Sequence, residues 1–280
     1  MRPRSHIFFA LLFFAASGWS AKSPTPTVGD TLALAQQQVS HYVSRLADLH
    51  CSETVVQRKL NAKGHVEATQ RSRFDYLIMM NGNSEEFQLN ESRIETPDSK
   101  HKPVPASMLT TNGMTTVLLV FHPYYSDAFS FDTGQEEELR EVATLPVHFA
   151  HISGRRTPAA LALRTREFPI ELKGTAWINK QSGQVMQINA NLMHDMSDVG
   201  LRSLDIQVEY TSQVIGKEIL TVPAKAIVDV TTPRQHWRNT HLFENYRSFS
   251  TDAEQDPNYK IHPEPGASPG QDSSTPKEQP

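Results

Sequence analysis

Residues 171–192 read ELKGTAWIN, KQSG and QVMQINANL, and this stretch is the clearest hairpin signal in the chain. Two extended runs flank a polar turn at 180–183 that ends in glycine, a pattern typical of a β-hairpin. Apolar residues recur at every second position of the second run: Met186, Ile188, Ala190 and Leu192. Because side chains of a strand alternate between two faces, these four are expected on one buried face.

Further runs of the same kind lie on both sides of this hairpin. Downstream, Leu204, Ile206, Val208 and Tyr210 alternate with polar residues, and residues 219–230 form the last long strand expected. Pro223 within that strand suits an edge or a bulge, because proline has no N–H to donate to a sheet. Residues 129–131 and 145–152 also read as strands, joined by a charged connection at 132–140.

Upstream, the hairpin pattern repeats between residues 53 and 89. Residues 53–60 and 65–80 are extended runs joined by a turn at 61–64, and Asn81-Gly82-Asn83 is a second hairpin signal. Alternating apolar residues in this region are Phe74, Tyr76, Ile78, Met80, Phe87 and Leu89. Three antiparallel strands are therefore expected here.

Two helices are expected beside these strands. Asp30 fits an N-cap, and apolar residues follow at helical spacing: Leu32, Ala35, Val39, Tyr42, Val43, Leu46 and Leu49. One stripe of this helix must be buried, so it is expected to pack against a sheet. A second helical candidate covers residues 107–121, after a polar loop at 97–105.

Both ends of the chain differ in composition from its middle. A basic start, the apolar run at 7–16 and small residues at 17–21 predict a signal peptide over residues 1–20, cleaved near Ser20. Residues 21–29 form a leader, residues 30–250 one domain, and residues 251–280 a Pro/Gly/Ser-rich tail expected to be disordered. No later segment is long enough to cross a bilayer, so a free periplasmic or secreted protein is expected. A single cysteine cannot form an internal disulfide, and the net charge of −4 argues against nucleic acid as a partner.

Three features of the sequence could indicate a catalytic or metal site, but their structural context argues against each of them. Residues 266–270 read GASPG, a match to the nucleophile elbow, but the elbow must join a strand to a helix. His148 and His151 lie on one predicted strand, where a spacing of three sends them to opposite faces as ordinary half-exposed histidines. Cys51 has no local partner and reads as a small core residue. We therefore expect no enzyme activity, no metal and no cofactor.

The closing strands carry a resemblance to a known family. LDIQVEY at 204–210, IGKEILTVPAK at 215–225, FENYRSF at 243–249 and the Trp-containing hairpin GTAWIN at 174–179 together resemble the periplasmic outer-membrane lipoprotein carriers of the LolA/LolB-like superfamily. The resemblance implies a mainly β (α+β) fold: a curved antiparallel sheet, or incomplete β-barrel, with the N-terminal helix and a second helix on its concave side. It also implies that the concave face accepts acyl chains.

On that basis the predicted ligand is a lipid or an acylated protein. The residues expected to line its hydrophobic cavity are Phe74, Tyr76, Ile78, Phe87, Leu89, Met186, Ile188, Leu204, Ile206 and Val208. For the arginine with which such carriers grip lipoprotein, the candidates are Arg73, Arg93 and Arg140.

A second interpretation remains open. The same apolar residues would form an ordinary packed core in a structural or sensory module that binds an envelope protein. An open cavity of several hundred cubic ångströms favours the lipid binder, and a filled core favours the interaction module.

Overall fold

The structure is a computed structural model that describes residues 28–81, 88–96, 108–115, 117–163 and 166–249. Residues 1–27, residues 250–280 and Phe87 lie outside the described residues, and the division into segments stays a prediction. Residues 28 and 29, assigned above to the leader, are the first two residues of a helix. The predicted first helix is present as α1 (Val28–Arg45), which continues into a 3-10 turn at Leu46–Asp48. Asp30 lies within the first turn of α1.

Thirteen strands are present among the described residues. They are β1 (Leu49–Leu60), β2 (Val66–Asn81), β3 (Gln88–Glu95), β4 (Phe129–Thr133), β5 (Glu137–Leu139), β6 (Val142–His151), β7 (Ala160–Leu163), β8 (Arg166–Pro169), β9 (Leu172–Asn179), β10 (Val185–Leu192), β11 (Ser203–Ile215), β12 (Glu218–Thr231) and β13 (His236–Ser248). β7 and β8 form a separate hairpin. The others form one antiparallel sheet in the order β3-β2-β1-β13-β12-β11-β10-β9-β6-β4, with β5 added on β6.

The sheet is open, because its end strands β3 and β4 are not paired with each other in the described part of the chain. The predicted fold class, a mainly β protein built on one large antiparallel sheet that does not close into a barrel, is confirmed. The first and last strands of the domain are neighbours in this sheet, since β1 lies between β2 and the C-terminal strand β13.

The prediction that residues 219–230 are the last long strand was wrong, because β13 follows and pairs along β12 and β1. Trp237, Asn239, His241 and Phe243 are buried at alternating positions along β13. Because two of these four core-facing residues, Asn239 and His241, are polar, the strand lacks the alternation of apolar residues by which it could have been predicted. The predicted connection at 132–140 likewise contains the short strand β5.

The second predicted helix is present only in part. Residues 108–115 are irregular, and helical structure is limited to a 3-10 helix at Val117–Phe121 and the four-residue α2 (Pro123–Ser126). Every residue of that 3-10 helix is buried. A segment that is apolar on all sides lies inside the core and has no need of helical periodicity.

α1 and the second 3-10 helix cover the core face of the sheet, and the apolar stripe predicted for α1 packs there. Contact with the turn between β9 and β10 is close. Gly183 in that turn has φ +72°, and a Cβ added there would stand 2.5 Å from Cβ of Leu34 on α1. Glycine is therefore required twice at this position, for its backbone conformation and for the space.

Two bulges set the register of the closing strands. Val185 and Gln187 pair with consecutive residues of β9, so Met186 is the extra residue, and buried Val185 takes the core position expected for Met186. The register of β11 and β12 shifts at Tyr210 opposite Pro223, as expected for proline at a bulge. None of the described helices combines the length and apolar character that a bilayer span requires.

Candidate functional site

The predicted cavity residues that the structure describes lie on the core face, except Met186, which is the extra residue of the bulge in β10. Ile188, Leu204, Ile206 and Val208 are buried in the main hydrophobic core, as are Tyr76 and Ile78. Phe74 and Met186 are half-buried. Leu89 belongs to β3 by its backbone, and its side chain lies outside the described residues, as does Phe87.

The interior around these residues is filled. A cavity on this side of the sheet has a volume of about 10 Å³ and is bordered by Tyr42, Cys51, Tyr76, Ile78, Thr115 and Tyr246, among others. A space of that size holds about one water molecule. Among the predicted residues with side chains that the structure describes, only Tyr76 and Ile78 border it.

Beside this cavity lies a largely buried group of ionisable side chains, here called the Glu53 cluster: Glu53, Glu91, Arg93 and His241. Glu53 on β1 is 0% exposed. Arg93 on β3 forms a bidentate pair with it, with Nη2 donating to Oε1 at 2.9 Å and Nε donating to Oε2. His241 Nδ1 donates to the same Oε1 at 2.7 Å, because an ionised carboxylate can only accept. Strands from both ends of the domain thus meet at one carboxylate.

The Glu53 cluster holds down residues 108–115, here called the strap. The amide of Gly113 donates to Glu91 Oε1 at 2.6 Å, and Arg93 Nη1 donates to the side chain of Asn112. Thr111 Oγ1 lies 2.7 Å from Nε2 of His241. Glu91, Arg93 and His241 therefore each contribute one hydrogen bond to the strap.

Neutral side chains add further bonds to the strap. Gln57 Nε2 and Asn239 Nδ2 both donate to the carbonyl of Leu109, at 2.6 and 2.8 Å. The hydroxyl groups of Tyr76 and Thr115 lie 2.7 Å apart. Attachment is also apolar in part, because Met114 is buried in the core. The strap thus closes the core face over the small cavity through bonds that water can replace.

The electrostatics follow from this burial. Burial raises the pKa of the Glu53 carboxyl, but hydrogen bonds from His241 and Arg93 outweigh it and hold the pKa below its ordinary value of 4.5. For Glu91 burial prevails, and its pKa is raised despite Arg93, Tyr76 and Gly113. Burial lowers the pKa of Arg93, yet its contacts with Glu53 and Glu91 raise it overall. Glu53 and Arg93 therefore form an ion pair that is charged at neutral pH.

The three candidate arginines lie in different surroundings. Arg93 faces the core, with its guanidinium 5.2 Å from the ring centre of Tyr76. Arg73 on β2 is exposed on the opposite face, because it alternates along the strand with Phe74 and Tyr76, which face the core. Arg140 is in a turn and donates from Nη2 to the carbonyl of Met186 at 2.6 Å. Of these three, only Arg93 reaches the strap in the contacts described.

Cys51, considered as a nucleophile, is buried. Burial raises the pKa of its thiol to about 12, the contact with Tyr246 offsetting only part of the effect. A thiol in this state is a poor nucleophile at neutral pH, because the thiolate is the reactive form. Its position agrees with the prediction of a small core residue.

The predicted placement of His148 and His151 on opposite faces is confirmed, but their description as half-exposed was wrong for His151. His148 is exposed and His151 is 3% exposed, with its ring packed edge-on against Phe129. No three His, Cys, Asp or Glu side chains in the described ranges are arranged as a ready-made metal site.

Sequence reasoning missed the Glu53 cluster, although one signal was available. Cys51, Glu53 and Val55 alternate along β1, so Glu53 occupies a core-facing position between two apolar residues. A carboxylate there needs a cationic or hydrogen-bonding partner. The partner His241 was hidden because β13 was not recognised as a strand.

Comparison with known proteins gives relatives in fold only. No protein family model matches the chain, and no curated protein matches it significantly. Among solved structures, a DUF1329 family protein from Desulfovibrio piger is 11% identical, with a TM-score of 0.41, covering 80% of this chain and 94% of its own.

Two further structures belong to groups with names that describe a role. A LolA superfamily protein from Nitrosomonas europaea is 14% identical, with a TM-score of 0.37, covering 79% of this chain and 92% of its own. A domain assigned to outer membrane lipoprotein-sorting proteins, from Vibrio parahaemolyticus, is 11% identical, with a TM-score of 0.42, covering 81% of this chain and 95% of its own. All three TM-scores are below 0.5, and the ligand has to be argued from the side chains of this chain.

Proposed function

We propose that this chain is an exported, non-catalytic binding protein that holds a hydrophobic ligand, an acyl chain of a lipid or of an acylated protein, on the core face of its sheet. The observation that carries the proposal is the strap. An apolar sheet face is covered there by a segment that is attached largely through hydrogen bonds, several of them to charged side chains.

The strap gives the ligand a route of entry. Leu109, Thr111, Asn112, Gly113 and Thr115 all form polar bonds with side chains of the sheet. A hydrogen bond exchanged for water costs about 0.5–1.5 kcal/mol net, so such a cover opens more readily than one held by apolar packing alone. Ligand cavities measure about 300–1,000 Å³, so the cavity of about 10 Å³ represents the closed state.

Arg93 is proposed as the residue that controls opening. It connects Glu53, on the core face of β1, with Asn112 on the strap. Replacing Arg93 with Gln removes both bonds and is expected to favour the open state. Arg73→Gln is the matched control, because Arg73 lies on the exposed face of the neighbouring strand.

The experiment is uptake of a fluorescent fatty acid, cis-parinaric acid, by the mature chain purified without detergent. Native mass spectrometry of the same sample measures stoichiometry. We expect saturable uptake near one ligand per chain, faster in Arg93→Gln and unchanged in Arg73→Gln. If Arg93→Gln does not fold, Thr111→Val tests the same point through the bond to His241.

A second candidate function is favoured by the filled interior. A protein whose core is already packed fits a structural or sensory module that binds an envelope protein. The same measurement separates the two candidates: absence of saturable uptake by the wild type and by Arg93→Gln would exclude the acyl carrier and leave the interaction module.

The proposed location is the periplasm or the medium, after signal cleavage near Ser20. N-terminal sequencing of the exported protein tests it. A mature chain that begins at residue 21 or 22 is expected, and retention of residues 1–20 would contradict it.

A further inference from the structure

A cleft of about 400 Å³ lies at the ends of β6, β9 and β10, and shares no lining residue with the strap or the Glu53 cluster. Its polar side chains include His151, Glu171 and His194, and its apolar side is formed by Pro169, Leu192 and Met196. His151 is the last residue of β6, and Glu171 directly precedes β9. Strand ends therefore fix two of the three polar groups.

His151 presents an unsatisfied acceptor to this cleft. Its side chain is 1% exposed, and Nε2 lies 3.1 Å from the carbonyl oxygen of Arg156. A carbonyl only accepts, so Nε2 carries a proton, and in the neutral form of the ring Nδ1 offers a lone pair. Nδ1 is buried without a hydrogen-bond partner among the described residues, and Glu171 Oε1 stands 3.7 Å away. Since a carboxylate cannot donate, these two acceptors require a donor between them.

Glu171 is held in position for such a donor. Ser153 Oγ donates to its Oε1 at 2.9 Å, and its Oε2 lies 3.7 Å from Nε2 of His194. The two imidazoles approach different oxygens of one carboxylate, so the three groups do not surround a single point. This arrangement disfavours a metal ion and suits an extended ligand with several N–H donors.

The described surroundings of the cleft carry charges of both signs. Arg155 borders the cleft, but its Nη1 lies 3.1 Å from the carbonyl and 3.5 Å from the carboxylate of Asp127. Arg156 Nη2 lies 3.8 Å from the same carboxylate. Asp127 thus offsets one of the two arginine charges, and Glu171 is the carboxylate that faces the cleft among its described lining residues.

We infer that this cleft binds a small organic cation that carries N–H donors, an ammonium or a guanidinium group, on a short apolar chain. The N–H groups bond to Nδ1 of His151 and to the carboxylate of Glu171. The apolar chain packs on Leu192 and Met196. The site goes beyond the proposed acyl binding and does not depend on it.

The test uses four probes of one chain length at pH 8, above the ordinary range of histidine titration. Calorimetry and the imidazole NMR signals are followed with n-butylammonium, n-butylguanidinium, n-butyltrimethylammonium and 1-butanol. Saturable binding is expected for one or both of the first two, and their ratio identifies the preferred group. The quaternary cation, which lacks N–H donors, and the neutral alcohol should bind at least about tenfold more weakly.

Variants locate the binding. Glu171→Gln should weaken the preferred probe about tenfold or more, because a charge-assisted hydrogen bond is lost. Glu209→Gln is the control, since Glu209 on β11 has a similar side-chain exposure, 29% against 24%, and lies outside the cleft. His151→Phe removes Nδ1 while keeping a ring against Phe129.

If His151→Phe does not fold, the probe series and Glu171→Gln decide the matter. Equal binding of all four probes, no saturable binding, or wild-type affinity in Glu171→Gln would overturn the inference. An ordered water would then be the partner of His151.

Discussion

Glu53 and His241 lie 188 residues apart in sequence and share a hydrogen bond of 2.7 Å between Oε1 and Nδ1, completely shielded from solvent. Arg93 on β3 donates hydrogen bonds to the same carboxylate. The first strand of the sheet, its last strand and the edge strand β3 are therefore joined at one carboxylate.

Removal of this carboxylate should be costly. We expect Glu53→Gln to lower the free energy of unfolding by about 3–5 kcal/mol, because Arg93 is left as a largely buried charge without its counterion. Urea unfolding followed by circular dichroism measures it. Glu209→Gln, at a partly exposed ion pair, should change stability by no more than about 1 kcal/mol. Similar losses in both variants would contradict a special role for Glu53.

Stability should depend on pH with opposite signs at two neighbouring carboxyls. The pKa of Glu53 is lowered by folding, so its contribution is present above 4.5 and is lost as the pH falls through the lowered value. The pKa of Glu91 is raised, so its contribution is present below 4.5 and is lost as the pH rises through the raised value.

Both signs of the pH dependence can be tested by measuring the free energy of unfolding of the wild type, Glu53→Gln and Glu91→Gln. The measurements cover pH 3–8, a range of roughly five units around these transitions. The difference between wild type and Glu53→Gln should shrink on the acid side. Glu91→Gln, which mimics the protonated carboxyl, should gain relative to wild type as the pH rises. Parallel curves for all three proteins would refute the assignment.

Cys51 should resist thiol reagents in the folded protein. Its thiol is buried and has a pKa raised to about 12, so little thiolate is present at neutral pH. Labelling with iodoacetamide at pH 7.5, roughly a unit below the ordinary thiol range, should be very slow in buffer and complete in guanidinium. Equal rates in both conditions would show that the thiol is accessible.

Gly183→Ala should destabilise the contact between α1 and the sheet. The added Cβ would lie 2.5 Å from Leu34 and would also sit on a residue with φ +72°. We expect a loss of about 1–3 kcal/mol in unfolding free energy. Gly64→Ala is the control for the backbone term, since it has φ +78° and open space around its Cβ position. Equal losses in the two variants would exclude the contact with Leu34.

The sequence determined the parts of this protein that depend on local patterns. Helical spacing in α1 and alternation in β2, β9, β10, β11 and β12 mark residues that face one core, and the turns at 61–64 and 180–183 join neighbouring strands. These features follow from the periods of 3.6 and 2 residues, which are written into the chain itself.

Tertiary structure alone decided what lies on that core face and at the ends of its strands. β13 carries Asn239 and His241 towards the core, and their polarity makes sense only beside Glu53, Arg93 and the strap. His151 and Glu171 meet for the same reason, through the pairing of β6 with β9. A buried polar residue is stable only with its partner, and the identity of a distant partner is set by strand pairing, which no local period encodes.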